Sequence, residues 1–198
     1  MNIQSLNVKI TGISPLLMAN PQTVDRFNQY NREMARINAK KTRRTDEDYK
    51  NLADIEVRAK VHWDDEIGVF VPTTWLMGAL CKHAFSLKKL SKDRIRGSVF
   101  PVESKIALTY RNMDQVKKLD DVVGNPEFRY NMNLKQGQVR IMKSMPIFKD
   151  WSFSANLEFE NTQIDASDLK AIFEYAAKYG GFGDFRPTFG RAEAEVTL

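Results

Sequence analysis

An α+β fold, with an antiparallel sheet built in the order βαββαβ and broken by a helical insertion, is predicted by three observations. Leu6–Ile13, Trp151–Phe159 and Arg191–Leu198 each alternate apolar and polar residues, the period of a half-buried strand. Two apolar-striped helices with cap residues at their starts stand at matching points of the two halves. Between the first strand and the first of these helices, residues 23–65 carry helical periodicity and a heavy excess of basic residues.

The first strand sets Leu6, Val8 and Ile10 against Asn7, Lys9 and Thr11, and Gly12 and Pro15 punctuate its end. In the insertion, Val24, Phe27, Met34 and Ile37 recur at helical spacing, with Arg32, Arg36 and Lys40 one turn apart on the far side. Thr45 with Asp48 three residues on makes a capping box, and Tyr49, Leu52, Ile55 and Ala59 form the stripe of the helix it opens. Val69–Val71 is a short strand closed by Pro72. Thr73 or Thr74 then caps a helix over 75–87, with Leu76, Ala79, Leu80 and Ala84 inward. Residues 98–110 read as a strand interrupted at Pro101, and 112–124 as a polar loop with one helical turn. Residues 128–133 and 138–148 are strand-like. Asp165 caps a helix striped by Leu169, Ile172, Phe173 and Ala176, which Gly180 ends. Without the insertion, this is the ferredoxin-like split βαβ arrangement in one domain, 1–198.

Hydrophobic residues are 42% and charged residues 28% of the 198 positions, a globular balance that excludes wholesale disorder. No apolar run is long enough for a membrane span. The opening Met1-Asn2-Ile3-Gln4 has no signal-peptide pattern, so a non-secreted protein is expected. A single cysteine, Cys81, excludes an internal disulfide, and with two histidines it cannot build a His/Cys zinc site. No cofactor is expected.

The net charge of +5 is unevenly spread. From Arg26 to Arg44, seven basic residues, among them Arg32, Arg36, Lys40, Lys41, Arg43 and Arg44, face one acid. From Lys82 to Arg96, six, among them Lys88, Lys89 and Lys92, face one acid, so the rest of the chain is net negative. Basic patches on an acidic body predict a polyanionic partner.

Four of the ten glycines fall between Tyr179 and Arg191. Gly181 and Gly183 would let a ligand approach the backbone, with exposed N–H groups suited to a phosphate. Phe182, Phe185 and Phe189 are positioned to stack on bases, and Arg186 and Arg191 add charge. The spacing is neither the P-loop nor the dinucleotide-binding fingerprint.

This loop, Gly180-Gly181-x-Gly183-x-x-Arg186-x-x-x-Gly190-Arg191, resembles the C-terminal glycine-rich loop of the RAMP superfamily, whose members form the backbones of CRISPR effectors. Gly12-Ile13-Ser14-Pro15-Leu16 is similar to the turn that follows the first strand there. Val71-Pro72-Thr73-Thr74-Trp75-Leu76-Met77-Gly78-Ala79-Leu80 is similar to the segment opening the first helix, with Thr73 in place of the usual Gly. Over nearly the whole chain the pattern also resembles an uncharacterised family frequent in tailed-phage and prophage genomes. The landmarks are Ser14-Pro15-Leu16-Leu17-Met18, the basic arm, Val71-Pro72, Met145-Pro146-Ile147-Phe148-x-x-Trp151 and Gly181-x-Gly183-Asp184-x-Arg186-Pro187. The resemblances imply viral origin, location in the host cytoplasm and an RRM/RAMP-like fold, with self-association along a strand.

Some RAMP relatives cut RNA with a His or an Asp. Here His62 and His83 are the only histidines, Asp25 has no visible partner in the sequence for acid–base work, and Asp64-Asp65-Glu66 reads as a solvated turn. The leading expectation is therefore a non-catalytic, sequence-tolerant protein whose partner is single-stranded DNA or RNA, with the 23–65 insertion as a thumb. A host-directed protein that meets a CRISPR or other defence component by RAMP mimicry is the second reading, and a RAMP-type ribonuclease the third.

Overall fold

In a computed structural model describing residues 2–198, the elements run in chain order as follows. They are β1 (Ile3–Gly12), β2 (Leu16–Leu17), α1 (Gln29–Asn38), α2 (Asp46–Lys60), β3 (Trp63–Asp64), β4 (Gly68–Pro72), α3 (Thr74–Lys88), α4 (Lys92–Ser98), β5 (Val99–Pro101), β6 (Lys105–Ala107), α5 (Leu119–Gly124), β7 (Arg129–Gln136), β8 (Val139–Phe148), β9 (Ser152–Glu160), α6 (Ala166–Tyr175) and β10 (Ala192–Thr197). The protein is α+β, with antiparallel strand pairing. The chain divides into two compact units, the first made of residues 2–16, 69–111 and 148–198, the second of 17–68 and 112–147.

The first unit holds a four-stranded sheet in the order β10-β1-β9-β5. Because side chains alternate across a strand, one pairing frame decides which residues share a face. Opposing Leu6 to Leu157, Val8 to Ala155 and Ile10 to Phe153 puts six apolar side chains on one buried face. Helices α3 and α6 pack together, and their buried stripes are Leu76, Ala79, Leu80 and Ala84 in one and Leu169, Ile172 and Phe173 in the other. Each large side chain so buried contributes about 1.5–3 kcal/mol. The opposite face carries Lys9, Ser154, Asn156 and Glu158, all exposed, and both aromatic residues of β9, Phe153 and Phe159, point away from it into the core.

In the second unit, β7 and β8 form a hairpin paired from Arg129↔Pro146 to Gln136↔Val139. Helix α2 opens with the expected capping box: Asp48 N–H donates to Thr45 Oγ1 at 3.2 Å, and Thr45 N–H to Asp48 Oδ2 at 3.0 Å. The buried Glu56 of α2 accepts from the Ser144 amide at 2.7 Å and from Lys143 Nζ at 2.6 Å. Lys60 Nζ donates to the Ser144 carbonyl at 2.7 Å, and the Arg129 guanidinium pairs with Asp54. Residues 23–65 are thus packed with residues of 112–147.

The structure differs from the sequence expectations in several elements. Val24 and Phe27 lie before α1, at 84% and 67% exposure, because Asp25 Oδ1 accepts from the Phe27 amide and Asn28 Oδ1 caps the Tyr30 amide. These local side-chain bonds start the helix later than the apolar spacing suggests. In α2 the buried apolar residues are Val57 and Ala59, while Tyr49 is 56% exposed. Thr73 stands at the N-cap of α3, but its hydroxyl makes no capping bond and is bonded to the Glu103 carbonyl instead. Helix α4, capped by Ser91 Oγ on the Arg94 amide, occupies a stretch whose sequence stands out only for its basic charge.

Candidate nucleic-acid interface

The glycine-rich loop belongs wholly to the first unit. A one-turn π-helix, Ala176–Gly180, follows α6, and Gly181, at φ +70°, leaves it with its amide on the Ala176 carbonyl at 2.8 Å. Gly181 and not Gly180 therefore ends the helix, at a positive φ that favours glycine. Gly180 is small for another reason: a Cβ there would meet Nε2 of His83. A Cβ on Gly190, at φ +73°, would run into the backbone of Phe182. The loop is closed by Phe182 N–H to Gly190 O and Gly190 N–H to Pro15 O, both 2.8 Å, and by Arg191 N–H to Ser14 Oγ at 2.9 Å. The amides of Gly181, Phe182, Phe185, Phe189, Gly190 and Arg191 all have partners within the unit. A phosphate cradle made from these six N–H groups is thereby excluded.

The three phenylalanines have different environments. Phe182 is fully buried, edge-on to Trp151 and Phe153 at 6.4 and 5.6 Å. Its expected role in base stacking is corrected: the ring is core, turned inward after Gly181. Phe185 is 37% exposed in the left-handed region, φ 52°, next to the cis Arg186–Pro187 bond. Phe189 is half-buried. Arg186 is exposed, and Asp184 bonds the Phe185 amide and forms no ion pair with Arg186 among the described residues. Arg191 Nε donates to the Lys178 carbonyl at 3.1 Å, so its guanidinium also braces the loop.

The basic windows split in the same way. Arg32 is exposed on α1 and lies 5.9 Å from the Phe27 ring, which Arg26 approaches from 5.7 Å. Arg36, Lys41 and Arg43 are exposed and make no ion pair among the described residues. Lys40 is bound to Asp48, and Arg44 donates to the Asn38 carbonyl. In the first unit Lys88 is paired with Asp168 at 2.9 Å, Lys89 ends α3 in a left-handed cap with its ammonium 5.5 Å from the Phe85 ring, and Lys92 is exposed on α4.

An aromatic row stands outside the sequence expectations. The rings of His83 and Tyr175 are 5.4 Å apart and those of Tyr175 and Tyr179 4.9 Å. Tyr179 is 58% exposed, with Lys178 Nζ 5.8 Å from its ring. The i, i+4 spacing of the tyrosines is the signal in the sequence that could have found it.

Chemistry-bearing groups are otherwise dispersed. His62 is buried, and burial lowers its pKa to about 4. Asp64 Oδ1 accepts from the Glu66 amide at 2.9 Å, and Asp65 from Trp63 Nε1 at 2.8 Å. Cys81 is buried. Among the described residues, no three of His, Cys, Asp and Glu are grouped to hold a metal, and no helix is long and apolar enough to cross a membrane.

No protein-family model and no curated protein matches the chain. Among solved structures it is similar to Cmr6 from Pyrococcus furiosus, at 12% identity and a TM-score of 0.35 over 98% of this chain and 100% of that one. That likeness is too distant to assign a function.

Proposed function

We propose that the chain is a non-catalytic, phage-encoded protein that binds single-stranded DNA or RNA without sequence preference in the host cytoplasm, and that it needs no cofactor. The observation that carries this reading is the run of exposed cations, Arg32, Arg36, Lys41 and Arg43, on and just after α1, with Arg32 5.9 Å from the exposed Phe27 ring. Unpaired cations track a phosphate backbone whatever its bases, and exposed rings supply sequence-tolerant stacking. Viral origin and self-association along the strand rest on the resemblances in the sequence. We read the first unit as a ferredoxin-like, RAMP-like domain. Counting its sheet strands along the chain gives the order 4-1-3-2, with α3 and α6 in the crossovers, which supports that assignment.

The test is purification without nuclease, then titration of a fluorescein-labelled oligo(dT) and oligo(U) at low and high salt. Co-eluting nuclease-sensitive material and affinity that falls with salt are expected. Salt-independent binding, or none to either oligonucleotide at low salt, would overturn the reading and favour a protein target.

A further inference from the structure

The first unit presents three rings in a row, His83, Tyr175 and Tyr179, and the outermost is more than half exposed. A solvent-facing tyrosine stacked only on another tyrosine buries little, so stability does not explain it. Cations accompany the row. Lys82 and Arg186 both act electrostatically on His83, and Lys178 lies against Tyr179. Among the described residues none of these three cations has an ion pair. Burial, with Lys82 and Arg186, lowers the His83 pKa, which favours a neutral ring. Tyr175 and Tyr179 line a groove of about 680 Å³ together with Lys88 and Lys178 and with Glu174, Glu193 and Glu195. The glycine-rich loop makes the arrangement possible, because only a residue without Cβ at Gly180 leaves room for the imidazole.

We propose that Tyr179, backed by Tyr175 and His83, is a base-stacking platform for single-stranded nucleic acid, with Lys178 beside its ring holding an adjoining phosphate. This rests on the nucleic-acid reading above and adds a second set of contacts to the α1 cations. Stacking tolerates any base, since each has a π face.

The test compares Tyr179→Ala and Tyr179→Phe with the parent in fluorescence anisotropy on labelled oligo(dT) and oligo(U) across a salt series. The alanine variant should bind roughly 5- to 150-fold more weakly with an unchanged salt slope, and phenylalanine should restore binding. In the intact protein, saturating oligonucleotide should slow nitration of Tyr179 by tetranitromethane, a readout independent of any variant's folding. Parental affinity in Tyr179→Ala, or an unchanged nitration rate on a bound strand, would overturn the platform and leave the α1 reading standing. Failure of the parent to bind either oligonucleotide would overturn both.

Discussion

Trp151 seats its indole on Gly12, where a Cβ would overlap the ring, while its Nε1 donates to the Ser14 carbonyl at 2.8 Å. The same tryptophan meets Phe182 edge-on. One side chain thus ties the end of β1 to the base of the glycine-rich loop.

Gly12→Ala is therefore expected to act as overpacking at a buried ring. A loss of about 1–3 kcal/mol is expected, read as a Tm lowered by roughly 2–4 °C per kcal/mol for a chain of this size. An unchanged melt would mean that the indole is not held there.

Phe182→Ala and Phe185→Ala should separate core from surface. Phe182 is fully buried, so its truncation is expected to cost about 3–5 kcal/mol of stability. Phe185→Ala should leave the melt nearly unchanged and weaken oligonucleotide binding by about 1–3 kcal/mol if its ring meets a base. Equal melts for the two variants would contradict the assignment of Phe182 to the core.

Replacing Arg43 together with Arg44 by alanine should weaken binding to all sequences about equally. The slope of log K against log salt should flatten by about 0.7 for each phosphate left without its cation. Arg43 is exposed and Arg44 partly engaged with the Asn38 carbonyl, so the single Arg43→Ala change should carry most of the effect. Anisotropy titrations at four or five salt concentrations measure it. A sequence-selective weakening would point to recognition of base edges instead.

His62 makes stability pH-dependent. Burial lowers its folded pKa to about 4 from the ordinary value of 6.5. The unfolded chain therefore takes up a proton between those values while the folded chain does not. Its contribution is present above pH 6.5 and is lost as the pH falls toward 4, amounting to about 3 kcal/mol at most. Urea denaturation of the parent should show this fall, and His62→Gln should remove most of it. A parent whose stability is flat from pH 7 to pH 5 would contradict it.

The alternating strands β1, β9 and β10 and the stripes of α3 and α6 are legible in the sequence because period and burial coincide there. Leu6, Val8 and Ile10, and Phe153, Ala155, Leu157 and Phe159, are all buried as their spacing implies. The start of α1 is not legible in the same way, because Asp25 and Asn28 bond the backbone locally, an effect that hydrophobic periodicity does not register. The loop glycines are legible as a cluster but not singly. Only the packed structure shows that Gly180 yields to His83 and Gly190 to the Phe182 backbone. Composition likewise marks the basic runs without showing that Asp48 holds Lys40 and Asp168 holds Lys88. The Tyr175–Tyr179 pair is masked in the sequence by its place at the end of an apolar stripe.

The Arg111 amide donates to the Lys149 carbonyl at 3.0 Å, and the rings of Tyr110 and Phe148 meet at 4.9 Å. The excursion through residues 112–147 consequently departs and returns at one doorway in the first unit. A segment attached in that manner leaves and rejoins the first unit without contributing a strand to the four-stranded sheet. The hairpin therefore answers to two masters at once: the doorway fixes where it begins and ends, and Glu56, Lys60 and Asp54 fix what it must look like in between.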